Sequence, residues 1–378
     1  MAQARIPVSI ITGFLGAGKS TLLNQLLKDP AMQDAAIIIN EFGDVSIDHL
    51  LVARSGDGII ELAEGCLCCT VRGELVDTLA ELMDGIQTGK LKAVNRVVIE
   101  TTGLADPAPV MQSIIGNPVI SQNFTLNGMV TVVDAVNGLS TLDNHPEAVK
   151  QVAVADRLIL TKQKLSTEAQ ISALTTRLLS LNPRATIEDG DVDGWQAVSL
   201  LENGLYDAAN KVGDVARWLG EEAHHDHHDH DHDHDHDHHH CGHGHHHHDV
   251  NRHNASIRSF SIVHDKPIDP MAIEMFIDLL RSAHGEKLLR MKAIVQLSDN
   301  PDRPLVLHGV QSIFHSPQRL AEWPDPADRR TRMVLITDGL PEAFVKDLFG
   351  AFTGAVNVDR PDRQAVTDNP LAVPGMRF

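Results

Sequence analysis

Short apolar runs rich in β-branched side chains recur through the first half of the chain, with helical apolar stripes between them. Val8-Ser9-Ile10-Ile11, Ile37-Ile38-Ile39, Val97-Val98-Ile99, Met129-Val130-Thr131-Val132-Val133 and Leu158-Ile159-Leu160 are continuous, not alternating. A strand covered on both faces reads this way, so these runs predict an α/β fold with a mostly parallel sheet between helix layers. Thr21-Leu22-Leu23-Asn24-Gln25-Leu26-Leu27 sets leucines on one stripe and predicts a helix close behind the first strand. The α/β pattern closes near Trp218-Leu219-Gly220, which places this domain at residues 1–222.

Residues 223–249 hold a His/Asp run with almost nothing to bury, which predicts a solvated linker. Beyond it the period changes. Ser256 to Val263, Leu289 to Val295, Leu305 to Val310 and Met333 to Ile336 read as strands; Pro270 to Ala283 and Pro341 to Phe352 read as amphipathic helices. Residues 250–378 are thus expected to form a small α+β domain, with a surface extension from Arg360 onward.

Composition narrows the function. The 378 residues are 42% hydrophobic and carry a formal net charge of -19, which argues for a globular protein and against nucleic acid or an anionic membrane as partner. Four cysteines, three of them adjacent or nearly so, do not make a secreted disulfide framework. The first apolar run is broken by Gly13, Gly16, Gly18 and Lys19, making it a poor signal peptide and too short for a bilayer. The cytoplasm is the expected location.

Gly13-Phe14-Leu15-Gly16-Ala17-Gly18-Lys19-Ser20, with Thr21 after it, fits GxxxxGK[ST] between a predicted strand and a predicted helix. Such a loop turns its N–H groups and a helix N-terminus toward phosphate; Lys19 would reach the β- and γ-phosphates and Ser20 would hold Mg²⁺. Val97-Val98-Ile99-Glu100-Thr101-Thr102-Gly103 ends a buried strand in a carboxylate, where a metal-linked water is expected, and Gly103 could sense the γ-phosphate through its N–H.

Glu64-Gly65-Cys66-Leu67-Cys68-Cys69-Thr70 gathers three thiols. Thiolates suit Zn²⁺ or Cu(I), and three ligands leave one tetrahedral position open, as a carrier requires. The stretch from His224 to Asp249 holds 16 of the 23 histidines, including His236, His238, His240, His245 and His247; alternating aspartates would orient their rings. Several weak metal sites are expected there. His49, His145, His284, His308 and His315 read as structural.

GFLGAGKST, Asn40-Glu41-Phe42-Gly43, GCLCCT and Glu100-Thr101-Thr102-Gly103-Leu104-Ala105-Asp106-Pro107 stand in the order and spacing of the CobW-type metallochaperone GTPases, and the chain resembles that family. The resemblance implies a P-loop GTPase domain and a CobW-type C-terminal domain. It implies GTP and Mg²⁺ as nucleotide and cofactor, and Zn²⁺ as cargo with Co²⁺ or Ni²⁺ as alternatives. The implied partner is a metalloenzyme client, and a homodimer is compatible with it. Asn40 to Asp48 would be a switch loop whose Glu41 touches Mg²⁺ or the cargo. A His-rich metal store with vestigial nucleotide binding, and a cobalt chaperone serving cobalamin synthesis, are the competing functions.

One motif departs from the family. Its base-reading [NST]KxD appears here as Thr161-Lys162-Gln163-Lys164, so Thr161 and Lys162 match and a lysine replaces the carboxylate. Guanine offers N–H donors, and a lysine only donates as well. Either Lys164 faces the base, weakening GTP and admitting ATP, or the loop turns Lys164 to solvent and backbone atoms read guanine. In the first case Lys164→Asp should raise GTP affinity by ~2–4 kcal/mol.

Overall fold

The computed structural model describes residues 5–39, 50–52, 60–61, 71–192, 197–201, 256–315 and 317–354. The expected helical start, the five buried runs and the six C-terminal elements all form, with ends shifted by a few residues.

In the first domain the strands are β1 (Ile6–Gly13), β2 (Ala35–Ile39), β3 (Leu50–Val52), β4 (Ile60–Glu61), β5 (Arg96–Glu100), β6 (Phe124–Asp134), β7 (Arg157–Thr161) and β8 (Thr186–Asp189). Its helices are α1 (Lys19–Leu26), α2 (Val71–Gln87), α3 (Pro107–Gly116), α4 (Pro118–Asn123), α5 (Gly138–Asn144), α6 (Pro146–Ala153), α7 (Glu168–Leu181) and α8 (Ala197–Leu201). The strand order is β4-β3-β2-β5-β1-β6-β7-β8. Pairing is parallel from β2 through β8, and β3 and β4 add an antiparallel edge. Local chemistry explains the helix starts. Asp106 accepts from Ala108 N ahead of Pro107, and Thr167 with Gln170 forms a capping box before α7.

The second domain contains β9 (Ile257–His264), α9 (Pro270–His284), β10 (Leu288–Val295), β11 (Leu305–Val310), β12 (Ile313–Phe314), β13 (Gln318–Arg319), β14 (Thr331–Asp338) and α10 (Glu342–Thr353). Its sheet runs β12-β11-β10-β14-β9, antiparallel throughout, with β13 on β11.

Strand periodicity decides how the domains meet. Met291, Ala293 and Val295 of β10 join Phe276, Leu280, Val345 and Phe349 in the core beneath α9 and α10. Arg290 and Lys292 alternate with them and reach Asp156, at the start of β7. Ile257, Leu289, Val310 and Ile336 belong to the same apolar core as Val8, Leu126 and Leu158 of the first domain. The C-terminal sheet is therefore packed on both faces. Gln112 of α3 donates to Gln311 at 2.6 Å, and a Cβ on Gly116 would come within 2.7 Å of Ile313.

Candidate functional site

The parallel strands deliver their C-terminal ends to one edge, and the P-loop residues gather there. Gly13 has φ +141°, and a Cβ on it would lie 2.3 Å from the Val132 carbonyl oxygen, so glycine is required where the chain leaves β1 beside β6. Gly18, left-handed at φ +101°, is the N-cap of α1. Gly16 and Ala17 lie between them. Lys19 is buried in the loop and donates to the carbonyls of Gly13 at 2.9 Å and Phe14 at 3.3 Å. Ser20 donates to Glu100 at 2.8 Å, joining the first turn of α1 to the end of β5. Thr21 follows in the first turn of α1.

Glu100 stands at the end of β5, where the adjacent β1 residue is Ile11, and is 5% exposed. Three residues on, a Cβ on Gly103 would meet Leu15 N at 2.5 Å, so the ETTG segment lies directly against the P-loop. Helix α6 holds that segment from behind. Gln151 donates to the carbonyls of Gly103 at 3.1 Å and Ala105 at 3.0 Å, and Lys150 pairs with Asp106 at 2.9 Å.

The TKQK turn closes the other side. Thr161 donates to Ala17 O at 2.6 Å. Lys162, at φ +59°, donates to Gly16 O at 2.8 Å and to Asp134 at 2.7 Å. Burial alone would raise the Asp134 pKa, but the Lys162 hydrogen bond, aided by Asn137 and two backbone amides, holds it below its ordinary value. Lys164 is exposed, and Asp191 accepts from the backbone N–H of both Lys162 and Lys164.

The structure thus brings together Gly13, Gly16, Ala17, Gly18, Lys19, Ser20, Glu100, Gly103, Thr161 and Lys162. The expected metal ligands Glu41, Cys66, Cys68, Cys69, His236, His238, His240, His245 and His247 lie outside the described residues, as do His49, the Asn40 to Asp48 loop and the tail. Among the described residues no three His, Cys, Asp or Glu side chains gather as a metal site. No described helix is long and apolar enough to cross a membrane. The expected structural role fits His145, which packs 4.4 Å from Phe14, and His308, whose pKa burial pushes well below its ordinary value.

Sequence reasoning missed Asp134, Gln151 and Asp191. Asp134 had a signal, since it ends a predicted apolar strand. Gln151 and Asp191 had none, because their roles arise from contacts distant in sequence.

A P-loop edge of this kind, with an acidic strand end beside it and a second antiparallel domain, defines a nucleotide-binding protein with an accessory domain. The family described as CobW/HypB/UreG, nucleotide-binding domain, matches residues 7–189. The Cobalamin synthesis protein cobW C-terminal domain matches residues 257–353. The chain is 33% identical over 352 residues to the zinc chaperone YjiA of Escherichia coli strain K12, covering 91% of this chain and 98% of that protein. It is 29% identical over 369 residues to the zinc chaperone CobW of a Sinorhizobium species, covering 88% and 93%. The crystal structure of Zn(II)-bound YjiA GTPase from E. coli superposes with a TM-score of 0.63 at 28% identity, over 93% of this chain and 99% of that one. The chain belongs to the CobW family of P-loop proteins.

Proposed function

We propose that this protein is a GTP-hydrolysing metallochaperone that carries zinc and hands it to a metalloenzyme client in the cytoplasm. The observation that carries the proposal is similarity along nearly the whole chain to a protein named a zinc chaperone, whose solved structure is titled a Zn(II)-bound GTPase. A yeast relative, 30% identical over 237 residues, is named zinc-regulated GTPase metalloprotein activator 1. Residues 1–222 would bind and hydrolyse the nucleotide, 223–249 would recruit metal through their histidines, and 250–378 would contact the client. Cys66, Cys68 and Cys69 would hold the cargo tightly, with Glu41 nearby.

The P-loop amides and the α1 N-terminus favour negative charge, and Lys19 is poised to exchange two neutral carbonyls for phosphate oxygens. The Ser20–Glu100 pair is an oxygen-donor set of the kind Mg²⁺ prefers, and these two residues would hold it directly or through water. When bound, Mg²⁺ supplies charge neutralisation to the phosphates. Gly103 would report the γ-phosphate, and its movement would pull on Gln151 and on α3, which abuts the C-terminal domain.

Turnover of GTP and of ATP, each with and without Zn²⁺, Co²⁺ or Ni²⁺, tests the proposal together with metal titration. Deleting residues 224–249 should lower the number of bound metals and leave the tightest site intact. Loss of the tight site on deletion would move the cargo to the histidines. A parent that binds several metals but hydrolyses no nucleotide would be a metal store.

A further inference from the structure

The loop after β8 lies inside the ring of loops around the P-loop. Gly190 N donates to Leu160 O at 2.6 Å, and a Cβ on Gly190 would meet the Thr161 methyl at 2.9 Å. The same Thr161 side chain lies 3.5 Å from where a Cβ on Gly18 would stand. One residue further, Asp191 places its carboxylate under the TKQK turn. Its Oδ1 accepts from Lys162 N at 2.8 Å and its Oδ2 from Lys164 N at 3.2 Å. Asp189 sets that loop by accepting from Asp191 N at 2.8 Å and from Gln163 Nε2 at 2.6 Å.

The carboxylate missing from position 164 is thereby present in space, hydrogen-bonded to the backbone of position 164 itself. Among the described residues no cation pairs with Asp191, and the two groups that donate to its carboxylate are neutral backbone amides. A carboxylate has about four lone-pair directions, so each oxygen retains one for an incoming N–H. Asp134, another carboxylate on this rim, is tied to the Lys162 ammonium. Lys164 is exposed.

We propose that Asp191, held beneath the TKQK turn by two backbone amides, is the residue that selects guanine, accepting from its N1–H and its exocyclic amine in place of the missing carboxylate at position 164. The proposal rests on GTP being the nucleotide.

Competition binding of GTP, ATP and xanthosine triphosphate, with Mg²⁺, to the full chain, Asp191→Asn and Lys164→Asp tests it. Xanthine carries a carbonyl where guanine has its amine, so an asparagine can accept from N1–H and donate to that carbonyl. Asp191→Asn should raise the xanthosine-to-GTP affinity ratio by at least ~100-fold, since one good bond is lost and another gained. Lys164→Asp should change GTP affinity by less than ~3-fold, the guanine donors being already matched. If Asp191 only braces the turn, Asp191→Asn weakens all three nucleotides alike and the ratio stays put, which overturns the proposal while leaving GTP as the nucleotide. A gain in GTP affinity of ~10-fold or more in Lys164→Asp would assign base reading to position 164 and overturn it as well. A parent that binds GTP and ATP equally would overturn both this proposal and the GTP reading.

Discussion

The two ends of β7 handle charge in opposite ways. At its start Asp156 is nearly enclosed between domains, where it accepts from Arg290 at 2.8 Å, from Lys292 and from Met129 N at 2.9 Å. Arg290 also donates to the Val154 carbonyl. At its end the partnerships are exchangeable: Lys19 donates to two carbonyls and Ser20 to Glu100. A phosphate or a cation could replace these contacts with stronger ones. The seam at the start of β7 is saturated by the chain's own groups, and the rim at its end is provisional. A ligand can therefore reorganise the rim while the seam keeps the two domains in register.

The largest effect should come from breaking the seam. Asp156→Ala removes the carboxylate that Arg290 and Lys292 share at this buried seam, and a destabilisation of about 3–5 kcal/mol is expected in urea unfolding. A loss below about 1 kcal/mol would mean that water reaches this seam and that the contrast with the rim is wrong. Removing all three charges together, as Asp156→Leu with Arg290→Met and Lys292→Met, should cost much less than the single change.

At the rim, Lys19→Ala should cut turnover by ~10²–10³ or more. Wild-type turnover in the purified variant would remove the P-loop from the reaction. Gln151→Ala sits between the two regimes, because it unpairs the carbonyls of Gly103 and Ala105 in the segment that lies against the P-loop. A stability loss of about 1–3 kcal/mol together with slower turnover is expected, and unchanged kinetics would deny α6 a part in switching.

The smallest effect is in pH. Burial alone would raise the pKa of Asp156, but Arg290 and then Lys292 outweigh it and hold the carboxyl well below the usual range. Its stabilisation is present above the unfolded carboxylate pKa of about 3.9 and drains away as the pH falls further. The stability gap between the parent and Asp156→Asn should therefore narrow by roughly 1 kcal/mol between pH 5 and pH 3. A gap that is constant over this range would show that the cations do not act on the carboxylate.

By itself the sequence determined what local chemistry can determine. Continuous apolar runs named the parallel core strands, because a strand covered on both faces has no polar face to alternate with. The glycine spacing ending in Lys19-Ser20 named the phosphate loop, because only that backbone can turn its amides inward. Strands β3, β4, β12 and β13 escaped notice, since two or three residues carry no period. β8 escaped too, because three of the four residues of Thr186–Asp189 are polar and the strand is only partly covered at the sheet edge. Only the tertiary structure set Gln151 beneath Gly103, Asp156 between Arg290 and Lys292, and Asp191 under Lys164. Asp156 and Arg290 are 134 positions apart, and no local pattern encodes which distant partner a charged side chain will meet. That choice waits until the sheet order and the packing of the second domain have brought the two chain segments together.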